Sequence, residues 1–181
     1  MAGVTVADLR QRLSETEVIL LDVDGVLTDG GIIIGPGGFE SKKFDVRDGH
    51  RIRMAKRAGL AVYFITGRTS EAVARRAQEL EIDDLYQGVL EKGGLVAELE
   101  RVSGKERSRM SYMGDDLVDL PPMSMVGLSA CPSDAAPEVR ERAALVAPFA
   151  GGKGAVAWFI EEILKARGDW GTLIEKYTAG A

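Results

Sequence analysis

The chemistry in this chain is carried by carboxylates. Residues 18–22, Val-Ile-Leu-Leu-Asp, form an apolar run that ends on Asp22, and a second aspartate, Asp24, follows two positions later. In an extended backbone that spacing puts both side chains on one side, and Gly25 lets the chain turn away just afterwards. Two like charges held so close imply a cation, a shared proton or divided chemical labour. Three further clusters fall at the end of an apolar run or the start of a helix. They are Thr66 with Gly67 and Arg68, then Lys92, then Gly114 with Asp115, Asp116 and Asp119. Together they supply a nucleophile, an acid and base, oxygen ligands for a metal, a hydroxyl donor and a fixed positive charge. That inventory suits phosphoryl transfer, which needs in-line attack and neutralisation of charge on the equatorial oxygens. Acyl transfer is a poor fit, because His50 is the only histidine from which a Ser/His or Cys/His pair could be made.

The elements that position these groups alternate along the chain. Helix signals over 5–15 precede the strand at 18–22. Segments 31–34 and 39–46 flank the Gly/Pro-rich stretch 35–38, which predicts a β-hairpin over 31–46. Asp48 is placed to cap a helix over 49–58 that Gly59 ends. A buried strand at 60–65 leads to a helix at 70–80, capped by Thr69 or Ser70. A strand at 84–86, a helix at 92–102 and strands at 108–113, 126–130 and 144–146 follow, then a helix at 153–167 and a polar tail over 168–181. Strands alternating with helices predict an α/β fold, a Rossmann-like parallel sheet flanked by helices, whose ligands sit beyond the carboxyl ends of the strands.

Composition narrows the class further. At 181 residues, 45% hydrophobic and 28% charged, the chain reads as one globular domain over 1–181. A net charge of −5 argues against a nucleic-acid partner. No apolar stretch approaches the roughly 20 residues that span a bilayer, so no membrane partner is expected. The first residues lack a basic segment followed by an apolar one, and a lone cysteine, Cys131, fits a reducing cytoplasm. With one histidine and one cysteine, a Cys/His zinc site is excluded, and any metal must be held mainly by oxygen, as magnesium is.

The order Asp-x-Asp-Gly-x-x-Thr-Asp, Thr-Gly-Arg, Lys and Gly-Asp-Asp-x-x-x-Asp resembles the haloacid dehalogenase (HAD) superfamily of phosphotransferases. Lys-Phe-Asp-Val-Arg-Asp-Gly at 43–49, Tyr-Gln-Gly at 86–88 and Gly-Gly-Lys-Gly at 151–154 extend the likeness to one branch, the 3-deoxy-D-manno-octulosonate 8-phosphate phosphatases, over about residues 12–167. The resemblance implies a HAD-like fold with the hairpin in place of a large cap domain. It implies Asp22 as nucleophile and Asp24 as general acid and base. Magnesium would be held by the carboxylates of Asp22 and Asp115 and the main-chain carbonyl of Asp24. Thr66 and Lys92 would hold the phosphoryl oxygens, with Asp116 and Asp119 orienting Lys92 and the ion's water from behind. Arg47, Arg68, Arg76, Gly67, Gly152 and Lys153 match positions near an anionic sugar acid or the closure of its site. Hairpins would join in a homotetramer, and the product would feed lipopolysaccharide synthesis.

Two departures touch substrate choice. His50 and Arg51 stand where the branch usually has a hydrophobic residue and glycine, and Lys153 stands where many members have arginine. Arg51 is therefore expected either beside the mouth of the site or in solvent. A nine-carbon 2-keto-3-deoxy sugar acid 9-phosphate is the alternative substrate. A phosphoacceptor signalling module of receiver type is the alternative of another class, though there the phosphorylated aspartate would follow the third strand, not the first.

Overall fold

The computed structural model describes residues 5–178. In chain order its elements are α1 (Val6–Glu15), β1 (Val18–Asp22), a ribbon of β2 (Ile33–Ile34) and β3 (Glu40–Ser41), α2 (Val46–Arg57), β4 (Ala61–Ile65) and α3 (Glu71–Leu80). Then come β5 (Asp84–Tyr86), α4 (Lys92–Ser103), β6 (Met110–Met113), α5 (Leu120–Met125), β7 (Leu128–Cys131), α6 (Pro137–Arg140), β8 (Leu145–Val146), α7 (Ala155–Arg167) and α8 (Asp169–Thr178). Six strands form one parallel sheet in the order β5-β4-β1-β6-β7-β8, the architecture expected from the alternation.

The central strand β1 is buried on both faces. Ile19 and Leu21 join Phe64, Ile52, Phe159 and Ile160 in one apolar layer, while Val18 and Leu20 join Val96, Leu99, Met110 and Tyr112 in the other. Each such large side chain, removed from water, contributes about 1.5–3 kcal/mol. The two layers clamp β1 between β4 and β6. The register pairs Asp22 with Ile65 and Leu21 with Met113, so Asp22 sits level with Gly114 and next to the residue before Thr66. Parallel pairing thus brings three of the four chemical clusters to one sheet edge.

Four local expectations are corrected. Asp45, not Asp48, caps α2, accepting the N–H of Arg47 at 2.7 Å. Asp48 is buried and instead accepts the N–H of Ala157 at 2.7 Å, so it satisfies the first turn of α7, whose own N-cap position is a glycine with no side chain to offer. Burial raises its pKa to about 6. The hairpin pairs only Ile33–Ile34 with Glu40–Ser41; residues 42–45 join no strand, and α2 starts already at Val46. The short helices α5 and α6, each with proline in its first turn, escape a reading based on long periodicity. The expected polar tail is helix α8 up to Thr178, which buries Leu173 against α7 after Gly168 ends that helix in a left-handed conformation.

Candidate active site

The strand β1 stops at Asp22, and the chain then coils: the carbonyl of Val23 accepts N–H groups from Val26, Leu27 and Thr28. Asp24 therefore lies in a turn, not on the extended strand that its spacing suggests. Buried Thr28 ties this turn, its Oγ1 accepting from Gly25 N at 3.4 Å and Gly30 N at 3.2 Å. Gly25 has φ +92°, and a Cβ there would stand 2.0 Å from Asp115 Oδ2. Only glycine lets the Asp115 carboxylate approach the turn. Behind the turn, a Cβ at Gly151 would stand 1.8 Å from the carbonyl oxygen of Gly25, so the 151–152 backbone is pressed directly onto it.

Asp22 is 5% exposed and ion-pairs with Lys92, Nζ to Oδ1 at 2.9 Å. Lys92 opens α4 after β5 and is 4% exposed. Its second partner is fully buried Asp119, at 2.7 Å. Asp119 is saturated. Its Oδ1 accepts from Lys92 and from the Tyr112 hydroxyl at 2.8 Å, and its Oδ2 accepts the N–H groups of Asp115 at 3.0 Å and Asp116 at 3.2 Å. It acts as an organiser, holding Lys92 toward Asp22 and the Asp115 backbone in place. Asp116 has no such role, because its side chain is exposed and its carboxylate caps Leu117 at 2.7 Å. Thr66 is buried just after β4; its hydroxyl oxygen accepts the N–H of Arg68 at 3.1 Å, which leaves its proton to donate.

Asp22, Asp115 and Asp119 offer carboxylate oxygens within 4.8 Å of one another, with Lys92 paired to Asp22 and Asp119. Asp115 Oδ1 is buried and without a hydrogen-bond partner. Burial first, then the Asp119 charge, raise Asp22 to a pKa of about 6 against the pull of Lys92; burial and then the charges of Asp22 and Asp119 raise Asp115 to about 8. An orphaned oxygen among crowded carboxylates fits a hard divalent cation. Since Asp119 has no free lone pair, Asp22 and Asp115 are the side chains left to hold it.

A pH dependence follows. Carboxyls that keep their protons in the folded state but lose them near 3.8 when unfolded make stability fall as pH rises, through about 6 for Asp22 and about 8 for Asp115. A cation replaces those protons. The melting temperature without divalent ions should therefore drop from pH 6 to pH 8.5, and magnesium should raise it more at pH 8.5 than at pH 6. Equal increments at the two pH values would count against these ligands.

Sequence reasoning missed Lys42. Its side chain is wholly buried and its ammonium donates to Asp24 Oδ1, across 18 positions of chain. A lysine at the end of an irregular ribbon carries no signal of its own; only the fold of the hairpin over the turn shows the contact.

No family model matches the chain. The 3-deoxy-D-manno-octulosonate 8-phosphate phosphatase of Escherichia coli strain B is 40% identical over 166 residues, 92% of this chain and 88% of that protein. The chain belongs to the 3-deoxy-D-manno-octulosonate 8-phosphate phosphatase family. Among solved structures, the family member from Moraxella catarrhalis, in complex with magnesium, phosphate and KDO, superposes with a TM-score of 0.93 at 34% identity, covering 96% of this chain and 99% of that one. A putative HAD superfamily hydrolase of subfamily III A from Legionella pneumophila gives 0.91 at 34% identity, over 96% and 95% of the two chains. The HAD assignment and the phosphatase class read from the motifs therefore hold.

The residues matched to this family's substrate side are dispersed. Arg68 ion-pairs with Glu40 of the ribbon at 2.9 Å and, with exposed Gly67, lies at the rim. Arg47 is exposed, bound to Asp45 and to the carbonyl of Lys153 at 2.9 Å. Gly152 abuts the backbone of Thr28 and supports the turn that carries Asp24. Arg76 is mostly buried beneath Gly49, with Glu79 at 2.8 Å and Phe44 against its guanidinium. Arg51 lies neither at the mouth nor free in solvent: it pairs with Glu161 at 2.6 Å and stacks on Trp170, helping to dock α8.

Proposed function

We propose that this chain is a magnesium-dependent phosphatase releasing inorganic phosphate from 3-deoxy-D-manno-octulosonate 8-phosphate through an aspartyl phosphate on Asp22. The observation that carries the reading is buried Asp22, held by Lys92 at the carboxyl end of the central strand beside the unpartnered Asp115 oxygen. A carboxylate oxygen of Asp22 attacks phosphorus as the ester P–O bond breaks, and Asp24 gives a proton to the departing sugar oxygen. Asp24 then takes a proton from the water that attacks the acyl phosphate, which frees phosphate and restores Asp22. Lys92 offsets negative charge on the phosphoryl oxygens, and Thr66 donates its hydroxyl proton to one of them. Magnesium, held by the carboxylates of Asp22 and Asp115 and the main-chain carbonyl of Asp24, supplies charge neutralisation at the phosphoryl group.

The sugar acid's carboxylate is assigned to the rim cations, Arg68 beside Gly67 first, then Arg47 with Lys153. Arg76 and Gly152 shape the rim from beneath. Ile32, Ile33, Ile34 and Phe39 are exposed on one small ribbon, an apolar patch that supports assembly through the hairpin into a homotetramer. Ile33→Asp should then reduce the sedimenting mass to that of a smaller species; an unchanged mass would exclude the hairpin as the interface. Among the described residues no helix is long and apolar enough to cross a membrane. A place in the cytoplasmic supply of lipopolysaccharide precursors belongs to the same proposal and follows from the substrate.

The test compares phosphate release from the eight-carbon 8-phosphate and the nine-carbon 9-phosphate, each with magnesium. Preference for the eight-carbon ester is expected. Preference for the nine-carbon ester would keep the mechanism and change the substrate, and release from neither would overturn the reading.

A further inference from the structure

Asp24 is held by one strong partner, and that partner comes from the hairpin. The Lys42 ammonium, with no exposure to solvent, donates to Asp24 Oδ1 and lies 3.4 Å from Glu40 Oε1. Glu40 in turn accepts from Arg68 at 2.9 Å, so the lysine is itself anchored at the rim of the site. The other oxygen of the carboxyl group, Asp24 Oδ2, is buried and has no hydrogen-bond partner. A carboxyl group with one oxygen pinned and the other left free within a catalytic turn has a defined direction in which to exchange a proton. A fully buried ammonium beside it is worth more than the same charge in water, because little solvent screens it.

We propose that Lys42 is the positioning residue for the acid–base step: it pins Oδ1 so that Oδ2 faces the sugar oxygen, and it stabilises the carboxylate that proton transfer leaves behind. This rests on the reading of Asp24 as the general acid and base. In the first half-reaction the Oδ2–H bond breaks and its proton passes to the ester oxygen, which keeps the electron pair of the broken P–O bond while the new bond from Asp22 to phosphorus forms. Negative charge appears on Asp24 as this happens, and the Lys42 ammonium is already oriented to meet it without reorganisation. In the second half-reaction the same pinned carboxylate receives the proton of the attacking water. The hairpin thereby has a role inside the site, beyond its exposed apolar face.

Leaving-group dependence tests this, because a sugar alkoxide needs a proton and a dinitrophenolate does not. We would measure kcat/KM, which reports steps through release of the leaving group, for the sugar acid phosphate and for 2,4-dinitrophenyl phosphate. The proteins compared are the parent chain, Lys42→Met, Lys42→Arg and Asp24→Asn. Lys42→Met should lose about 100-fold on the sugar ester and less than about 5-fold on the dinitrophenyl ester, a share of the general-acid effect. Lys42→Arg should recover part of the loss, and it carries the comparison should Lys42→Met not fold. Equal losses on both esters for the Lys42 variants, with a selective loss for Asp24→Asn, would overturn the proposal and leave the acid role of Asp24 intact. A non-selective loss for Asp24→Asn as well would overturn the reading of Asp24 and the proposal with it.

Discussion

Asp22→Asn is expected to abolish turnover and, at the same time, to make the protein more stable without metal. The amide nitrogen or oxygen of asparagine cannot form the acyl phosphate, so phosphate release should fall by at least about 10⁴-fold, the scale on which loss of a nucleophile acts. Stability should move the other way. Asp22 is 5% exposed and faces the Asp119 charge, and burial first, then that charge, raise its pKa to about 6. Replacing it with a neutral isostere removes that repulsion, so the metal-free melting temperature at pH 8 should rise. Magnesium should then add little, since one of its two carboxylate ligands is gone. Activity surviving in the asparagine variant would exclude Asp22 as nucleophile, whatever the melting temperature did.

Lys92→Met should have the opposite effect on stability. Its ammonium lies 2.9 Å from Asp22 and 2.7 Å from Asp119, with the Asp115 carboxylate in the same cluster. Removing it leaves buried carboxylates without their cation, a change that costs about 3–5 kcal/mol when one partner of a buried pair is deleted. The same substitution withdraws charge from the phosphoryl oxygens, so kcat should fall by about 10²–10³-fold. Denaturant melts and steady-state kinetics on one preparation give both numbers. The Asp22→Asn and Lys92→Met pair should be non-additive: Asp22→Asn should stabilise the Lys92→Met background by more than it stabilises the parent chain, because the two groups act on each other. Simple additivity would mean that the ion pair is not the main interaction of either.

The opposed signs reflect how the site is made. Three carboxylates that would be content in water, Asp22, Asp115 and Asp119, are gathered at one sheet edge, where Lys92, the hydrogen bonds to Asp119 and a bound cation offset their charge. Stability is given up locally for charge complementarity to a phosphoryl group, and the apolar layers around β1 carry that cost.

The motif order, the parallel sheet and the candidate carboxylates at its edge are legible in the sequence because each depends on local pattern. An apolar run of five ending in Asp22 is a buried strand wherever it lies, and a strand's carboxyl end is where such a fold puts its chemistry. Helix α8 is also within reach: Trp170, Leu173 and Tyr177 recur at helical spacing after Gly168. The charged and small residues between them give the segment the look of a polar tail.

What tertiary structure alone decided is which partner each polar group takes. Asp48 reads in the sequence as a helix cap, yet it lies within the first turn of α2 and serves Ala157 of α7, 109 positions away. Asp119 and Asp116 share one motif, but only Asp119 turns inward to Lys92. Asp24 and Asp22 are two residues apart, yet one is held by Lys42 and the other by Lys92. Residue type and spacing determine which elements form and which groups can react. Partnership among buried charges depends on distances that arise only when separate segments pack, since an ammonium a few ångströms nearer in a dry interior outweighs any preference written along the chain.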